Sequence, residues 1–206
     1  MSQDRWHHNL SRIVRNCAMF TSFFLKMLNL EASSPRSRPE EILEQLHIRD
    51  GQAIADIGSG GGYFTLAFAA RAAKTGHVYA VDIKKKYLDF IRRQAEHTGL
   101  GNITFVLAAD GKIDLPEAGL DLVFVRNVFH HLPEPADFFA KLKRRLKLGG
   151  KVAIIEHKKK GFGFVSLFGH HTIPEVIVRE MEKAGYITEA SFDFLPDQTF
   201  TLFVMK

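Results

Sequence analysis

The chain has 206 residues, 46% of them apolar and 25% charged, with a net charge of +5. That length and balance suit one compact α/β domain with a sizeable core and exclude a disordered or collagen-like chain. A single cysteine, Cys17, excludes an intramolecular disulfide, a cysteine-based zinc cage and an iron–sulfur cluster, and fits a reducing, cytoplasmic setting.

Residues 1–35 read as an N-terminal helical extension. Leu10, Ile13, Val14, Cys17, Thr21, Phe24, Leu25 and Leu28 follow helical spacing, and Met19, Phe20, Phe23, Met27 and Leu30 fill the other side. A helix apolar nearly all round calls for burial, so it is expected to pack over the main domain or against a second copy in a homodimer. The sharper alternatives are a lid over an apolar substrate and a peripheral membrane contact. The apolar run from Cys17 to Leu30 is too short to span a bilayer and is interrupted by Lys26. Asn29-Leu30-Glu31-Ala32-Ser33 is a poor signal-cleavage site.

Ser33 to Pro39 is a turn-rich linker, and Pro39 opens a short helix to about Ile48. From there strands and helices alternate: strand 52–57, helix 63–73, strand 77–82, helix 84–98, strand 103–108, strand 120–126, helix 135–147 and strand 151–156. A helix over 173–184 and two strands, 186–194 and 200–205, close the chain around a turn at 195–198. The alternation predicts a doubly wound, Rossmann-like parallel sheet over 36–206, with helices on both faces and a C-terminal antiparallel hairpin.

Asp56-Ile57-Gly58-Ser59-Gly60-Gly61-Gly62-Tyr63-Phe64 runs from the first strand into the first helix of the sheet domain. Gly58, Gly60 and Gly62 let the backbone turn sharply and a ligand approach the helix N-terminus. Asp82 stands 20 residues beyond Gly62, at the end of the second strand, where a carboxylate reaches a ribose diol. Asp56 would repel a pyrophosphate but suits a cofactor carrying an ammonium and a sulfonium.

These residues resemble motif I of the class I S-adenosylmethionine-dependent methyltransferases, and the chain follows that family in order. Ala80-Val81-Asp82-Ile83 resembles the ribose-binding strand end, and Ala108-Ala109-Asp110-Gly111 the acidic loop that meets the adenine amine. Asp121 to Asn127 resembles motif IV, and Leu146-Lys147-Leu148-Gly149-Gly150 the "LKPGG" turn, with Leu148 for the usual proline. Asn127-Val128-Phe129-His130-His131-Leu132 is similar to the "hhL" signature of small-molecule enzymes of the ubiquinone/menaquinone-biosynthesis branch, in which the Arg126-Asn127 pair also occurs.

The resemblance implies S-adenosylmethionine as cofactor and S-adenosylhomocysteine as product. Asp56, Gly58, Ser59 and Gly60 would hold the methionine moiety, with Gly62, Tyr63 and Phe64 completing the loop. Asp82 would take the ribose, Ile83 and Gly111 would lie at the adenine with Asp110, and Arg126 and Asn127 would lie beneath the sulfonium. The implied activity is methyl transfer to a small, partly apolar acceptor. An RNA or protein methyltransferase, a non-catalytic S-adenosylmethionine-binding regulator and a nicotinamide oxidoreductase are the competing readings. Nucleic acid is disfavoured because no RNA-binding module accompanies the basic balance.

Acceptor chemistry belongs at the carboxyl ends of the strands. Among the groups expected there, His131 and Glu156 are the acid–base candidates. His157, Lys158, Phe162, Phe164 and His171 are the substrate-binding candidates, on an aromatic, glycine-containing flap over 157–172. Three His-His pairs, at 7–8, 130–131 and 170–171, raise a metal site, but adjacent histidines usually diverge and none is expected. Residues 141–160 hold nine basic side chains and one acid. Of these, Lys143 to Lys147 are expected to end a helix far from the site, and Lys158 to Lys160 to sit at its mouth.

Overall fold

The computed structural model describes residues 19–109, 112–158 and 173–206. One seven-stranded sheet organises them, in the order β3-β2-β1-β4-β5-β7-β6. Its strands are β1 (Ala53–Ile57), β2 (His77–Asp82), β3 (Ile103–Leu107), β4 (Leu120–Arg126), β5 (Leu146–His157), β6 (Tyr186–Phe192) and β7 (Gln198–Met205). β1 to β5 pair in parallel, and β7 enters antiparallel between β5 and β6. The Rossmann-like sheet and the C-terminal hairpin are therefore as the sequence predicts.

The helices are α1 through 19–32, α2 (Pro39–Gln45), α3 (Tyr63–Arg71), α4 (Lys85–Thr98), α5 (Pro135–Leu142) and α6 (Pro174–Lys183). Central strands bury both faces, so β1 and β4 read as near-continuous apolar runs. On one face Ile54, Phe124 and Ile155 pack with Phe64 and Phe68 of α3 and with Ile42 and Leu43 of α2. On the other, Val123, Val125 and Ile154 pack with Phe139 of α5 and with Ile177 and Met181 of α6.

One boundary differs in kind from the sequence reading. The helix expected to reach residue 147 stops at Leu142, Lys143–Arg145 form a 3-10 turn, and Leu146 already pairs with Leu120. Leu146 is buried as a strand residue, and Gly149, at φ 78°, absorbs the irregularity in the strand that follows. The cluster nevertheless lies at the amino end of the sheet, where Lys147 Nζ meets Asp121 at 2.6 Å.

Helix α1 buries one side only. Leu25 and Ala32 are buried, whereas Met19, Phe20, Phe23, Phe24, Met27 and Leu30 are exposed. The domain thus covers one face of α1, and its other apolar face is exposed in the single chain. Ser33–Arg38 is a folded turn rather than a bare linker: Ser37 is buried, and its Oγ donates to the Glu31 carbonyl at 2.7 Å.

Candidate active site

Strand order reverses between β1 and β4, so their carboxyl ends open a crevice where ligands of such sheets bind. On the β1 side, the loop 58–62 is drawn back onto the sheet: the Gly58 and Ser59 amides donate to the Val81 carbonyl at 2.8 and 3.0 Å. Gly58 has φ +73°, and a Cβ there would stand 2.2 Å from Val128 Cγ2, so only glycine fits. Gly60, also at positive φ, is the open position of the loop: a Cβ there would make only ordinary contacts, with Leu28 at 3.5 Å and the Gly58 carbonyl at 3.8 Å. A ligand can approach the backbone there.

Two carboxylates flank this loop. Asp82 accepts the Gly60 amide at 3.1 Å and the Lys84 amide at 2.9 Å, which fixes both its oxygens at the end of β2. Burial pushes its carboxyl up, against the pull of those amides. Asp56 lies beneath the loop, 4% exposed, and accepts the Thr65 hydroxyl. Burial pushes it up to about 7, opposed by the Thr65 bond and assisted by the Asp82 charge. Ile83, 74% exposed beside Asp82, offers an uncovered apolar face. Carboxylates beside an open backbone and an exposed aliphatic surface fit a cationic, ribose-bearing, aromatic ligand and repel a pyrophosphate.

Of the positions that the resemblance implies for the cofactor, the Tyr63 amide is taken by helix α1. Asn29 of α1 accepts the Tyr63 amide at 3.2 Å and donates to the Gly61 carbonyl at 2.8 Å. It thus takes up an otherwise unpaired donor at the start of α3. A Cβ on Gly61 would collide with Asn29 and with the Leu25 carbonyl. Gly62 is closed in the same way by Ile91. The Phe64 side chain is 5% exposed and stacks into the core against Phe68 and Phe124, so it is a core residue.

The β4 and β5 ends carry a second polar group. The Arg126 guanidinium, on a side chain 10% exposed, binds both oxygens of Glu31 at 2.8 and 3.0 Å and also donates to Gln198 at 3.1 Å. Its Nε is buried without a partner. Burial pulls the Glu31 carboxyl up, but the Arg126 charge and the bonds from Arg126 and Ser37 prevail and hold it below its usual value. Gln198 passes its amide hydrogen to Asn127 Oδ1 at 2.8 Å. Glu31 and Gln198, absent from the sequence reading, therefore position the Arg126-Asn127 pair; no local pattern marks residues 95 and 72 positions away.

Glu156 is fully buried, and its Oε1 lies 2.9 Å from His130 Nδ1. It also accepts the His130 amide at 3.4 Å and the His157 amide at 3.1 Å. The carboxylate is thus paired with His130, whereas the sequence reading singled out His131. His131 is exposed on the 3-10 turn Phe129–His131. The two rings do not diverge: their centroids are 4.0 Å apart. Among the described residues no group of three His, Cys, Asp or Glu is placed to hold a metal ion.

His157 is half-buried, with Nε2 unpartnered, and burial pushes its imidazole down despite the nearby Glu31 charge. Lys158 directly follows β5; its ammonium donates to the Leu195 carbonyl and its amide to the Asp197 carbonyl, both at 2.8 Å, beside Gln198. Asp110, Gly111, Phe162, Phe164 and His171, and the flap expected over 157–172 from residue 159 onward, lie outside the described residues.

Comparison with known proteins identifies this arrangement. A methyltransferase-domain family model matches residues 55–154, which hold the glycine loop, Asp82, the Arg126-Asn127 pair and most of β5. A methyltransferase domain thus matches just under half of the chain, on the fold of S-adenosylmethionine-dependent methyltransferases. The ubiquinone/menaquinone biosynthesis C-methyltransferase UbiE of Erwinia tasmaniensis is 27% identical over 159 residues, covering 73% of this chain and 63% of that protein. The chain therefore spans about three-fifths of that relative's length. A methyltransferase structure from Aquifex aeolicus superposes with a TM-score of 0.74 at 23% identity, covering 90% of this chain and 98% of the other. The [4+2]-cyclase SpnF shares the fold too, with a TM-score of 0.67 at 14% identity and coverage of 82% and 78%. The methyltransferase fold is thus shared with a protein named for a different reaction, and the reaction has to be argued from the site.

The cofactor of this family, S-adenosylmethionine, suits the residues present. Asp82 and Ile83 would take its ribose and adenine, and the open backbone at Gly60, above Asp56, its amino-acid end.

Proposed function

We propose that this methyltransferase transfers a methyl group to a small, partly apolar acceptor of the quinol type, with His130 and Glu156 removing the acceptor's proton. The observation that carries the proposal is the buried Glu156 carboxylate 2.9 Å from His130 Nδ1, at the carboxyl ends of β4 and β5 beside the cofactor crevice. The UbiE relative is named for C-methylation in ubiquinone and menaquinone biosynthesis, which supports the acceptor class. Cytoplasmic action fits the single cysteine; among the described residues no helix is long and apolar enough to cross a membrane.

S-adenosylmethionine supplies an electrophilic methyl carbon on a good leaving group, so the protein's own work is positioning and proton removal. Glu156 fixes the imidazole through Nδ1, which leaves Nε2 as the nitrogen that takes a proton. His130 Nε2 would take the proton of an acceptor hydroxyl, which would let the ring carbon accept the methyl group while the sulfur–carbon electron pair stayed with sulfur. The ring proton at the methylated carbon would then leave to solvent, restoring aromaticity, and the proton held on His130 would return to the acceptor oxygen. Arg126 and Asn127, held by Glu31 and Gln198, keep the floor of the crevice rigid while this happens.

The test is transfer of label from methyl-tritiated S-adenosylmethionine to a short-chain prenylated hydroquinone, read in the organic extract. The proposal expects label in the quinol with the wild-type protein and a fall of about a hundredfold or more for His130→Ala. Transfer unaffected by His130→Ala would remove the base; labelling of RNA or protein in place of the quinol would overturn the acceptor class.

A further inference from the structure

Helix α1 has two faces with different tasks. Its inner face is held to the cofactor loop through Leu25 and Asn29, and to Arg126 of β4 through Glu31. Its outer face carries Phe20, Phe23, Phe24, Met27 and Leu30, spaced as one stripe, with exposures of 79, 64, 44, 48 and 63%. Six large apolar side chains turned to water on one helix, counting Met19, exceed what an ordinary surface helix presents.

The surroundings of the stripe are basic. Phe24 meets the Tyr87 ring at 6.4 Å, which brings α1 against the start of α4. There Lys84, Lys85 and Lys86 are exposed, and so is Ile83. Lys84 Nζ lies over the Tyr87 ring at 4.7 Å. Of the three, Lys85 is paired with Asp89. Lys26 stands exposed on α1 itself, and Arg93 lines a groove of about 450 Å³ together with Ser22 of α1. The carboxylate of α1, Glu31, is turned inward to Arg126.

We propose that the outer face of α1 docks on an anionic lipid bilayer, with Phe20, Phe23 and Met27 entering the headgroup–acyl boundary and Lys26, Lys84 and Lys86 facing the lipid charge. Basic residues beside an apolar stripe match an anionic surface, whereas a second copy of the same face would set like charges together. The inference extends the reading of an apolar acceptor: the helix that meets the bilayer also roofs the crevice, so an acceptor dissolved in lipid enters without crossing water.

The experiment is co-sedimentation of the full chain with vesicles of phosphatidylcholine alone or with one quarter phosphatidylglycerol, at 0.1 and 0.5 M NaCl. Light scattering of the free protein and calorimetric titration with S-adenosylhomocysteine run beside it. The expected result is binding to the anionic vesicles, weakened by salt and by Lys84→Gln/Lys86→Gln, and about tenfold weaker or more for Phe20→Ser/Phe23→Ser. S-adenosylhomocysteine affinity of the serine variant should stay within twofold, which shows that it is folded and separates this proposal from the methyltransferase reading. Absence of binding to anionic vesicles, or binding equal for wild type and Phe20→Ser/Phe23→Ser, would overturn the proposal. So would a dimer that Phe20→Ser/Phe23→Ser converts to monomer without any change in vesicle binding.

Discussion

The two walls of the crevice are built on different principles. The β1–β2 wall is organised by backbone: glycines at positive φ, amides from Gly58 and Ser59 on one carbonyl, and an aspartate fixed by two further amides. The β4–β5 wall is organised by side chains from distant parts of the chain, through Glu31 to Arg126, Gln198 to Asn127 and Glu156 to His130. Backbone geometry is unforgiving of substitution but written in a short stretch of sequence. Side-chain geometry is spread over elements that meet only after folding.

The largest effect expected from this contrast lies in the first wall. Gly58→Ala places a methyl 2.2 Å from Val128 Cγ2 at a φ that alanine avoids. It should cost about 3 kcal/mol or more of stability and raise the dissociation constant for S-adenosylhomocysteine by more than a hundredfold. Chemical denaturation and calorimetry would read it, and near-wild-type values for both would break the account of the loop.

Glu156→Gln keeps the shape of the second wall and removes its charge. Label transfer should fall by about a hundredfold, while the affinity for S-adenosylhomocysteine stays within twofold. If both fell together, Glu156 would be serving the fold rather than the reaction.

Glu31→Gln is expected to lower stability at pH 7 by about 1–2 kcal/mol, since Glu31 is partly exposed and its pairing with Arg126 is discounted accordingly. Because the folded carboxyl titrates below its unfolded value, the wild-type advantage is present above about pH 4.5 and is lost as pH falls through the lower folded value. Thermal melts of the two proteins should therefore converge in acid. A constant gap down to pH 3 would contradict the ion pair.

The smallest effect concerns Asp56. Its carboxyl is pushed up to about 7 in the folded protein from an ordinary value of 3.8, so its ionisation opposes folding: stability is full below the unfolded value and declines as pH rises towards 7. Asp56→Asn should flatten the fall in melting temperature between pH 5 and 8 by a few degrees. An unchanged slope would mean that Asp56 is ionised at no cost.

The same contrast explains what could be read in advance. The parallel sheet, the C-terminal hairpin, the glycine loop and Asp82 follow from local spacing, because βαβ crossovers leave little topological choice. Asn29 and Glu31 were invisible as site residues: an asparagine and a glutamate on an apolar helix carry no motif, and their partners lie across the fold. That Lys158 follows β5 is legible in the sequence, whereas its bond to the Leu195 carbonyl depends on a turn 37 residues away. Between His130 and His131, only the fold decides which ring turns towards Glu156.

The central claim, that the acidic, glycine-lined wall receives S-adenosylmethionine, is tested most directly by calorimetric titration of the wild-type protein with S-adenosylhomocysteine near pH 7 in two buffers of different ionisation enthalpy. The account predicts binding with proton release, because the ligand's ammonium draws the half-protonated Asp56 into its charged form. No heat with S-adenosylhomocysteine, together with saturable binding of a nicotinamide dinucleotide, would contradict it.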